Sequence, residues 1–252
     1  MLGDATQLMG AKDLEAAEAL SVERTRPPTV VPGYTSERFL GQGSFGEVWV
    51  ARDDNTGRQV AVKFFAHRGG LDWSLLSREV EKLRFLFNNR YVVQLLEVGW
   101  DSKPPYYVME YFEHGSLEQY LQDGPLPVAS AVRIFQAVVQ ALAHSHEKGV
   151  LHCDLKPANI LLDADWQPRL ADFGQARMLS EQTPALGTLF FMAPEQADLD
   201  SPPDARADVY AAGAVLYQML TGSAPHETEG LRAKFQETRD LRERLEIGRA
   251  HV

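Results

Sequence analysis

The stretch of the sequence with the clearest chemical potential is GVLHCDLKPANILL, residues 149–162, in which polar side chains lie between two apolar runs. Asp154 has the chemistry to accept a proton from an alcohol. Lys156 can neutralise negative charge on a phosphoryl group during transfer, and Asn159 offers an amide oxygen to a hard cation. Asp172, in the sequence DFG, adds a carboxylate that also suits magnesium. These residue types indicate a phosphoryl-transfer site.

Two residues of the same stretch have alternative interpretations. His152 is either catalytic or structural, and its apolar neighbours favour the structural role. Cys153, the only cysteine of the chain, is either a small, inert, partly buried residue or a redox sensor. The adjacent Asp154 carboxylate disfavours a thiolate, so we prefer the inert interpretation.

A glycine-rich stretch, GQGSFGEV at residues 41–48, matches the pattern GxGxxGxV. Alone the pattern is weak, because an ordinary hairpin also fits it. Its position between two predicted strands argues against a dinucleotide-binding turn, which would precede a helix. The position favours a glycine flap over phosphates.

Lys63, in the apolar run VAVK, is the candidate cation for such phosphates. A buried ammonium is costly without an anionic partner, whereas a surface lysine needs none, and the sequence fits both interpretations. Glu79 on the following predicted helix is the candidate partner. Glu81 is its rival but lies on a different face of that helix.

The elements that must position these residues change along the chain. Strands are predicted within residues 38–53, 58–66, 92–100 and 105–112, with one amphipathic helix over Ser74–Leu86. Later helices are predicted over 116–122, 127–149 and 208–222, with a strand pair within 160–174. We therefore divide the chain into an extension or linker (1–33), a β-rich lobe (34–112) and a helical lobe (113–246).

The composition limits the classes of function. The 252 residues are 44% hydrophobic, which is enough for one large domain or two small lobes. A formal net charge of −10 argues against general binding of nucleic acid, although local cations and backbone amides can still hold a nucleotide. The single cysteine indicates a reducing compartment. Without a membrane segment or signal peptide, a cytoplasmic location is expected, with any membrane anchor in a C-terminal part beyond this chain.

Together, these motifs resemble those of the eukaryotic-like protein kinase family. GxGxxGxV, VAVK, a helical glutamate, HxDxKxxxN, DFG and APE (residues 193–195) follow one another in the order typical of that family. DLKPAN and GTLFFMAPEQA are most similar to the bacterial serine/threonine kinases. The resemblance covers residues 34–222 and implies an α+β, bilobal protein-kinase-like fold. Its N-lobe is small and β-rich with one helix, and its C-lobe is mainly helical.

The resemblance implies that ATP lies beneath the glycine flap. The ATP-binding residues that it implies are Leu40, Gly41, Gln42, Gly43, Ser44, Phe45, Gly46, Val48, Ala61, Lys63, Met109, Glu110, Phe112, Ser116, Leu161 and Asp172. Among them, Lys63 would bind the α- and β-phosphates and pair with Glu79. Met109 would be the gatekeeper, and Ser116 would lie near the ribose.

The adenine ring would be held by the remaining members of this set. Val48, Ala61 and Leu161 would enclose the ring, and Glu110 and Phe112 would bond it through their backbones.

The resemblance also implies a catalytic set, which is Asp154, Lys156, Asn159, Thr188, Lys63 and Glu79. Asp154 would be the base, and Asn159 and Asp172 would bind Mg²⁺. Thr188 would help to hold Asp154 and the substrate hydroxyl. Asp208, on a buried helix, would anchor the catalytic loop.

The implied activity is transfer of the γ-phosphoryl group of ATP to serine or threonine hydroxyls of protein substrates, with autophosphorylation as one option. A nucleotide-binding pseudokinase or scaffold is the alternative, but it predicts loss of Lys63, Asp154 or Asp172, and all three are present. An inactive truncated fragment is a further alternative. A kinase for small molecules is disfavoured by the segment GTLFFMAPE, which resembles a peptide-platform loop.

Two features depart from the family pattern. Cys153 stands where the family usually has an arginine that binds an activation-loop phosphate, and a thiol has neither that charge nor that geometry. The C-lobe is expected to be truncated, which would leave Glu195 without the arginine that the family pairs with it. The last residues, IGRAHV at 247–252, are expected to be a non-native tail.

Overall fold

The computed structural model describes residues 26–43, 46–65, 72–178, 189–193, 196 and 204–225. Predictions for Ser44, Phe45, Thr188, Glu195, residues 1–25 and residues 226–252 lie outside this part of the chain. The chain divides into two compact units. The first contains residues up to Leu76 together with Leu95–Tyr111, and the second contains Ser77–Gln94 together with residues from Phe112 onward. The lobe boundaries given above stay a prediction.

The first unit contains an antiparallel five-stranded sheet with the strand order β1-β2-β3-β5-β4. The strands are β1 (Tyr34–Gly43), β2 (Gly46–Asp53), β3 (Gln59–Phe65), β4 (Leu95–Gly99) and β5 (Tyr106–Glu110). The strands predicted for this part of the sequence are thus confirmed.

The two faces of this sheet carry different residues. One face forms the hydrophobic core of the unit, which consists of Val31, Trp49, Ala51, Val60, Val62, Phe64, Tyr106 and Val108. Because side chains alternate along a strand, the intervening residues belong to the opposite face. Val48, Ala61, Lys63 and Met109 are among them, so the sheet places these predicted nucleotide-binding residues on one surface.

Helix α1 (Asp72–Phe85) crosses the boundary between the units, and its residues from Ser77 belong to the second. Leu76, Val80 and Leu83 are buried at intervals of three and four residues, which gives the helix one apolar stripe. The apolar period predicted this helix correctly, although it begins at Asp72 rather than at Ser74.

The second unit is mainly helical, with α2 (Leu117–Tyr120), α3 (Val128–Glu147) and α4 (Ala205–Thr221). Helix α3 buries one face and packs against α4. The α+β class predicted from the sequence is confirmed. Among the residues that the structure describes, no helix has the length and apolar character needed to cross a membrane.

Helix α4 has well-defined ends. The Asp204 carboxylate accepts a hydrogen bond from the backbone nitrogen of Arg206 at 2.8 Å, which caps the N terminus. Gly222 follows the last turn with a φ of 84°, a left-handed conformation that favours glycine. These ends fix the length of the helix that carries Asp208.

Two short strand pairs complete the second unit. Strand β6 (Val150–Leu151) pairs with β9 (Arg177–Met178), and β7 (Ile160–Leu162) pairs with β8 (Pro168–Leu170). The sequence predicted the second pair but not the first, because strands of two residues show no alternation. Residues 152–159 form the loop between β6 and β7.

Candidate active site

The loop between β6 and β7 brings together the acid, the cation and the amide that the sequence singled out. Lys156 Nζ lies 2.8 Å from Asp154 Oδ2. Asn159 Nδ2 donates to the backbone oxygen of Asp154 at 2.8 Å and reaches Asp154 Oδ2 at 3.4 Å. Asp154 and Asn159 are both buried, so these bonds fix their side chains. The loop therefore presents one carboxylate with a cation beside it.

Asp208 of α4 holds the start of this loop through its backbone. Its carboxylate accepts hydrogen bonds from the backbone nitrogens of His152 and Cys153, each at 2.8 Å. His146 of α3 contacts the same carboxylate, with Nε2 2.8 Å from Oδ2. The side chain of Asp208 is buried, and these three contacts satisfy it. The predicted anchoring role of Asp208 is confirmed, whereas His146 was not identified from the sequence.

His152 has a structural environment. The residue is fully buried, its Nδ1 accepts a bond from the backbone nitrogen of Asp154 at 3.3 Å, and its Nε2 lies 3.0 Å from the backbone oxygen of Ala171. A carbonyl accepts, so Nε2 carries the proton. The ring also packs against Phe173, with ring centroids 4.8 Å apart. Both nitrogens are engaged by backbone groups, as the structural interpretation requires.

Cys153 is buried and has a φ of 64°, which is unusual for a residue other than glycine. Burial raises the pKa of its thiol far above the ordinary range, and the negative charge of Asp208 raises it further. Arg177 of β9 lies close enough to oppose this effect, and Asp154 adds a smaller increase in the pKa. The preference for an inert thiol has the right direction, but its main cause is burial rather than Asp154.

Comparison with known proteins decides the family. The Protein kinase domain family matches residues 34–250. The chain belongs to the protein kinase family.

Individual kinases are similar to the chain at moderate identity. Serine/threonine-protein kinase PknB of Mycobacterium leprae is 38% identical over 215 residues, covering 80% of this chain and 34% of that protein. PknB of Mycobacterium tuberculosis is 37% identical over 214 residues, covering 77% and 34%. Serine/threonine protein kinase OSK3 of Oryza sativa subsp. indica is 33% identical over 210 residues, covering 81% and 41%. The chain thus spans about a third of the length of the mycobacterial kinases, and the predicted resemblance to bacterial serine/threonine kinases is confirmed.

Membership of the kinase family implies use of ATP and a divalent cation, and the second unit has a donor set that fits such a cation. Asp172 supplies a carboxylate. The amide nitrogen of Asn159 donates a hydrogen bond to Asp154, so the amide oxygen is the atom of this side chain that can bind a cation. Oxygen donors of this kind suit Mg²⁺, which often takes its remaining ligands from water and phosphate. The described residues contain no group of three or more His, Cys, Asp or Glu side chains placed to hold a metal.

The space around the Cα of Gly174, beside Asp172, is narrow. Asp172 has a left-handed backbone (φ 59°), and its carboxylate accepts a bond from the backbone nitrogen of Gly174 at 3.4 Å. A Cβ at position 174 would lie 3.1 Å from Asp172 Oδ1 and 3.4 Å from Glu79 Oε2. Two carboxylates therefore converge beside a residue without a side chain. Of the two rival glutamates on helix α1, Glu79 is buried and Glu81 is exposed, which favours Glu79 as the functional residue.

In the first unit, strand register brings the predicted nucleotide-binding residues together. Val48 lies opposite both Gly41 and Lys63, and Ala61 lies opposite Met109. Directly opposed residues in antiparallel strands share one face. Lys63 Nζ also lies 5.4 Å and 5.7 Å from the ring centroids of Phe65 and Tyr107.

The other predicted ATP residues divide between the units. Leu40, Gln42, Gly43, Gly46 and Glu110 lie in strands of the first unit. In the second, Ser116 caps α2 by accepting a bond from the backbone nitrogen of Gln119 at 3.3 Å, and it forms an isolated bridge with Leu161. Phe112 is buried in that unit. The roles of all these residues, and the pairing of Lys63 with Glu79, stay predictions.

Proposed function

We propose that this chain transfers the γ-phosphoryl group of Mg²⁺-bound ATP to serine or threonine hydroxyls of protein substrates. One observation carries the proposal: the Asp154 carboxylate has Lys156 at 2.8 Å and the Asn159 amide on the same loop. A base with an adjacent cation suits a reaction in which a proton leaves an alcohol while negative charge shifts on a phosphoryl group.

The chemistry that these residues support is an in-line displacement. Asp154 accepts the proton of the substrate hydroxyl as its oxygen bonds to the γ-phosphorus. The bond from that phosphorus to the bridging oxygen breaks, and ADP leaves with the electron pair. Lys156 stabilises negative charge on the phosphoryl group during transfer. Asn159 and Asp172 would hold Mg²⁺, which would supply further charge neutralisation when bound.

The remaining assignments in this proposal concern ATP. The face of the sheet that carries Val48, Ala61, Lys63 and Met109 would receive the nucleotide, with Glu79 as the partner of Lys63. The left-handed or open glycines of the flap allow close approach of phosphates to the backbone. Thr188 would contact Asp154, and autophosphorylation belongs to the same proposal.

The test is Asp154→Asn, measured as transfer of labelled phosphate from γ-labelled ATP to a generic protein substrate. We expect a loss of about 10²–10⁴-fold, because the amide cannot accept the proton. Asp165→Asn, at an exposed turn, is the matched control and keeps wild-type turnover. Both variants should remain folded at the assay temperature, which their melting curves check.

Each outcome separates the candidate functions. Near-wild-type transfer by Asp154→Asn would remove this residue from the role of base. A wild-type chain that binds ATP but transfers no phosphate would instead support the nucleotide-binding scaffold.

A further inference from the structure

Lys82 is a buried lysine to which the proposed function gives no role. Its side chain, on helix α1, is only 2% exposed. Lysine is almost never fully buried unless it is paired, because loss of hydration penalises the ammonium. A lysine buried on this helix therefore requires an anionic acceptor within reach.

Glu79 is the carboxylate that helix geometry brings to Lys82. Residues three apart on an α-helix are neighbours, with their Cβ atoms about 5–6 Å apart. Glu79 is 1% exposed, whereas Glu81, which directly precedes Lys82 in the sequence, is exposed to solvent. Two buried opposite charges one turn apart can form an ion pair, and this pair would add to the proposed pairing of Glu79 with Lys63.

Among the described residues of the second unit, the other buried carboxylates are those of Asp154 and Asp208, which are bonded within the catalytic loop or at its anchor. Asp154 contacts Lys156 and Asn159. Asp208 is bonded by His146 and by two backbone nitrogens of the loop. Both carboxylates therefore have partners in or next to the loop, whereas Glu79 is the buried acid that lies one helical turn from Lys82.

The position of Glu79 gives the pair a consequence for the site. Its carboxylate lies beside Gly174, close to that of Asp172. Two carboxylates in a partly buried space repel each other, and a nearby cation relieves the repulsion.

We propose that Lys82 is a positioning residue whose ammonium binds Glu79 within helix α1 and fixes that carboxylate beside Gly174 and Asp172. The effect on turnover rests on the proposed function, whereas the ion pair itself does not. Lys82 acts through Glu79.

A double-mutant cycle on thermal stability, without ATP or metal, tests the pair. Removing one member of a buried pair strands the other, so Lys82→Met and Glu79→Gln should each lower the Tm by roughly 6–20 °C. The double variant should lose clearly less than the two single losses together. The matched control, Lys82→Met with the exposed Glu81→Gln, should be additive.

Additive losses for Lys82→Met and Glu79→Gln would overturn the proposal. If Lys82→Met does not fold, the double variant decides, since a folded double variant supports the pair and an unfolded one contradicts it.

Turnover separates this inference from the proposed function. When the wild type and Lys82→Met are both fully folded at the assay temperature, Lys82→Met should lower kcat at least about tenfold, because small displacements of catalytic groups are costly. Lys82→Arg keeps the charge, so its kcat should stay within about threefold of that of the wild type. The kcat of Glu81→Gln should equal that of the wild type. A wild type without turnover but with thermal coupling contradicts the proposed function alone. Unchanged kcat in Lys82→Met overturns the positioning role of Lys82.

Discussion

Cys153 combines a left-handed backbone with a buried side chain, and Asp208 acts both on its backbone and on its thiol. The Asp208 carboxylate accepts hydrogen bonds from the backbone nitrogens of Cys153 and His152, and these bonds fix the local conformation. The same carboxylate lies near the thiol and disfavours its ionisation. One aspartate thus holds the catalytic loop and, together with burial of the thiol, keeps its cysteine protonated.

This arrangement predicts slow alkylation of Cys153. The thiolate is the reactive form of cysteine. Because the pKa of the Cys153 thiol is raised, the folded chain keeps this thiol protonated even above the pH at which a free cysteine ionises. At pH 8 we expect iodoacetamide to modify the native chain at least about a hundredfold more slowly than the urea-unfolded chain. Raising the pH from 7 to 9 should accelerate only the unfolded sample strongly.

Intact-mass spectrometry measures the modification without ambiguity, because the chain has one cysteine. The unfolded sample serves as the control for reagent activity. Equal rates for native and unfolded chains at pH 8 would contradict the assigned environment of Cys153.

At the scale of single residues, spacing along the sequence alone identified those whose roles are local, and the family resemblance added Asp208. Asp154, Lys156 and Asn159 lie within six positions, and the spacing alone brings them together. His146 and Asp208 are separated by 62 positions, so only the packing of α3 against α4 joins them. Burial of Lys82 was equally hidden, because a lysine in an amphipathic helix is normally predicted at its surface.

Among the elements, the hairpin of β1 and β2 depends on the exact position of its glycines. Gly46 has a φ of 148°, and a Cβ there would overlap the backbone oxygen of Phe64 on β3. Gly41 has open space around its Cα and no positive φ. The two glycines of one motif therefore differ in what they require of the fold.

Substitution of these glycines should separate the two requirements. Gly46→Ala should lower the free energy of unfolding by at least about 2 kcal/mol, because the strained backbone and the overlap with Phe64 add up. Gly41→Ala should change it by less than about 1 kcal/mol. Thermal unfolding followed by circular dichroism gives both values, and equal losses would contradict the distinction.

The long elements were predictable because each has a sustained apolar pattern. Helix α3 has an apolar face over 20 residues, and the strands of the first unit contain apolar residues over lengths of five to ten residues, whereas β6 and β9 have two residues each. The pairing of Leu151 with Arg177 consequently had no local signal, and neither did the position of Arg177 near Cys153. The ends of α1 shifted for a related reason, since propensity does not decide the first turn of a helix.

For the whole molecule, the net charge of −10 sets a condition on nucleotide binding. An acidic chain repels a polyphosphate at long range, so local cations must compensate for that repulsion. In our proposal, Lys63 in the first unit supplies one such cation. The oxygens of Asn159 and Asp172 in the second unit contribute only through a divalent cation that they bind. Nucleotide binding should therefore depend strongly on that cation.

A thermal-shift experiment tests this condition. ATP with Mg²⁺ at about 100 times its Kd should stabilise the chain by about 2.7 kcal/mol, which raises the Tm by roughly 5–11 °C. Without the divalent cation, we expect less than about half of that shift at the same ATP concentration, because the phosphates then meet Asp172 and the net negative charge directly. Lys63→Met should abolish most of the shift, whereas the matched control Lys148→Met, at an exposed lysine, should preserve it. A full shift in the absence of a divalent cation would show that backbone amides and lysine alone hold the phosphates, and the proposed roles of Asn159 and Asp172 would then be wrong.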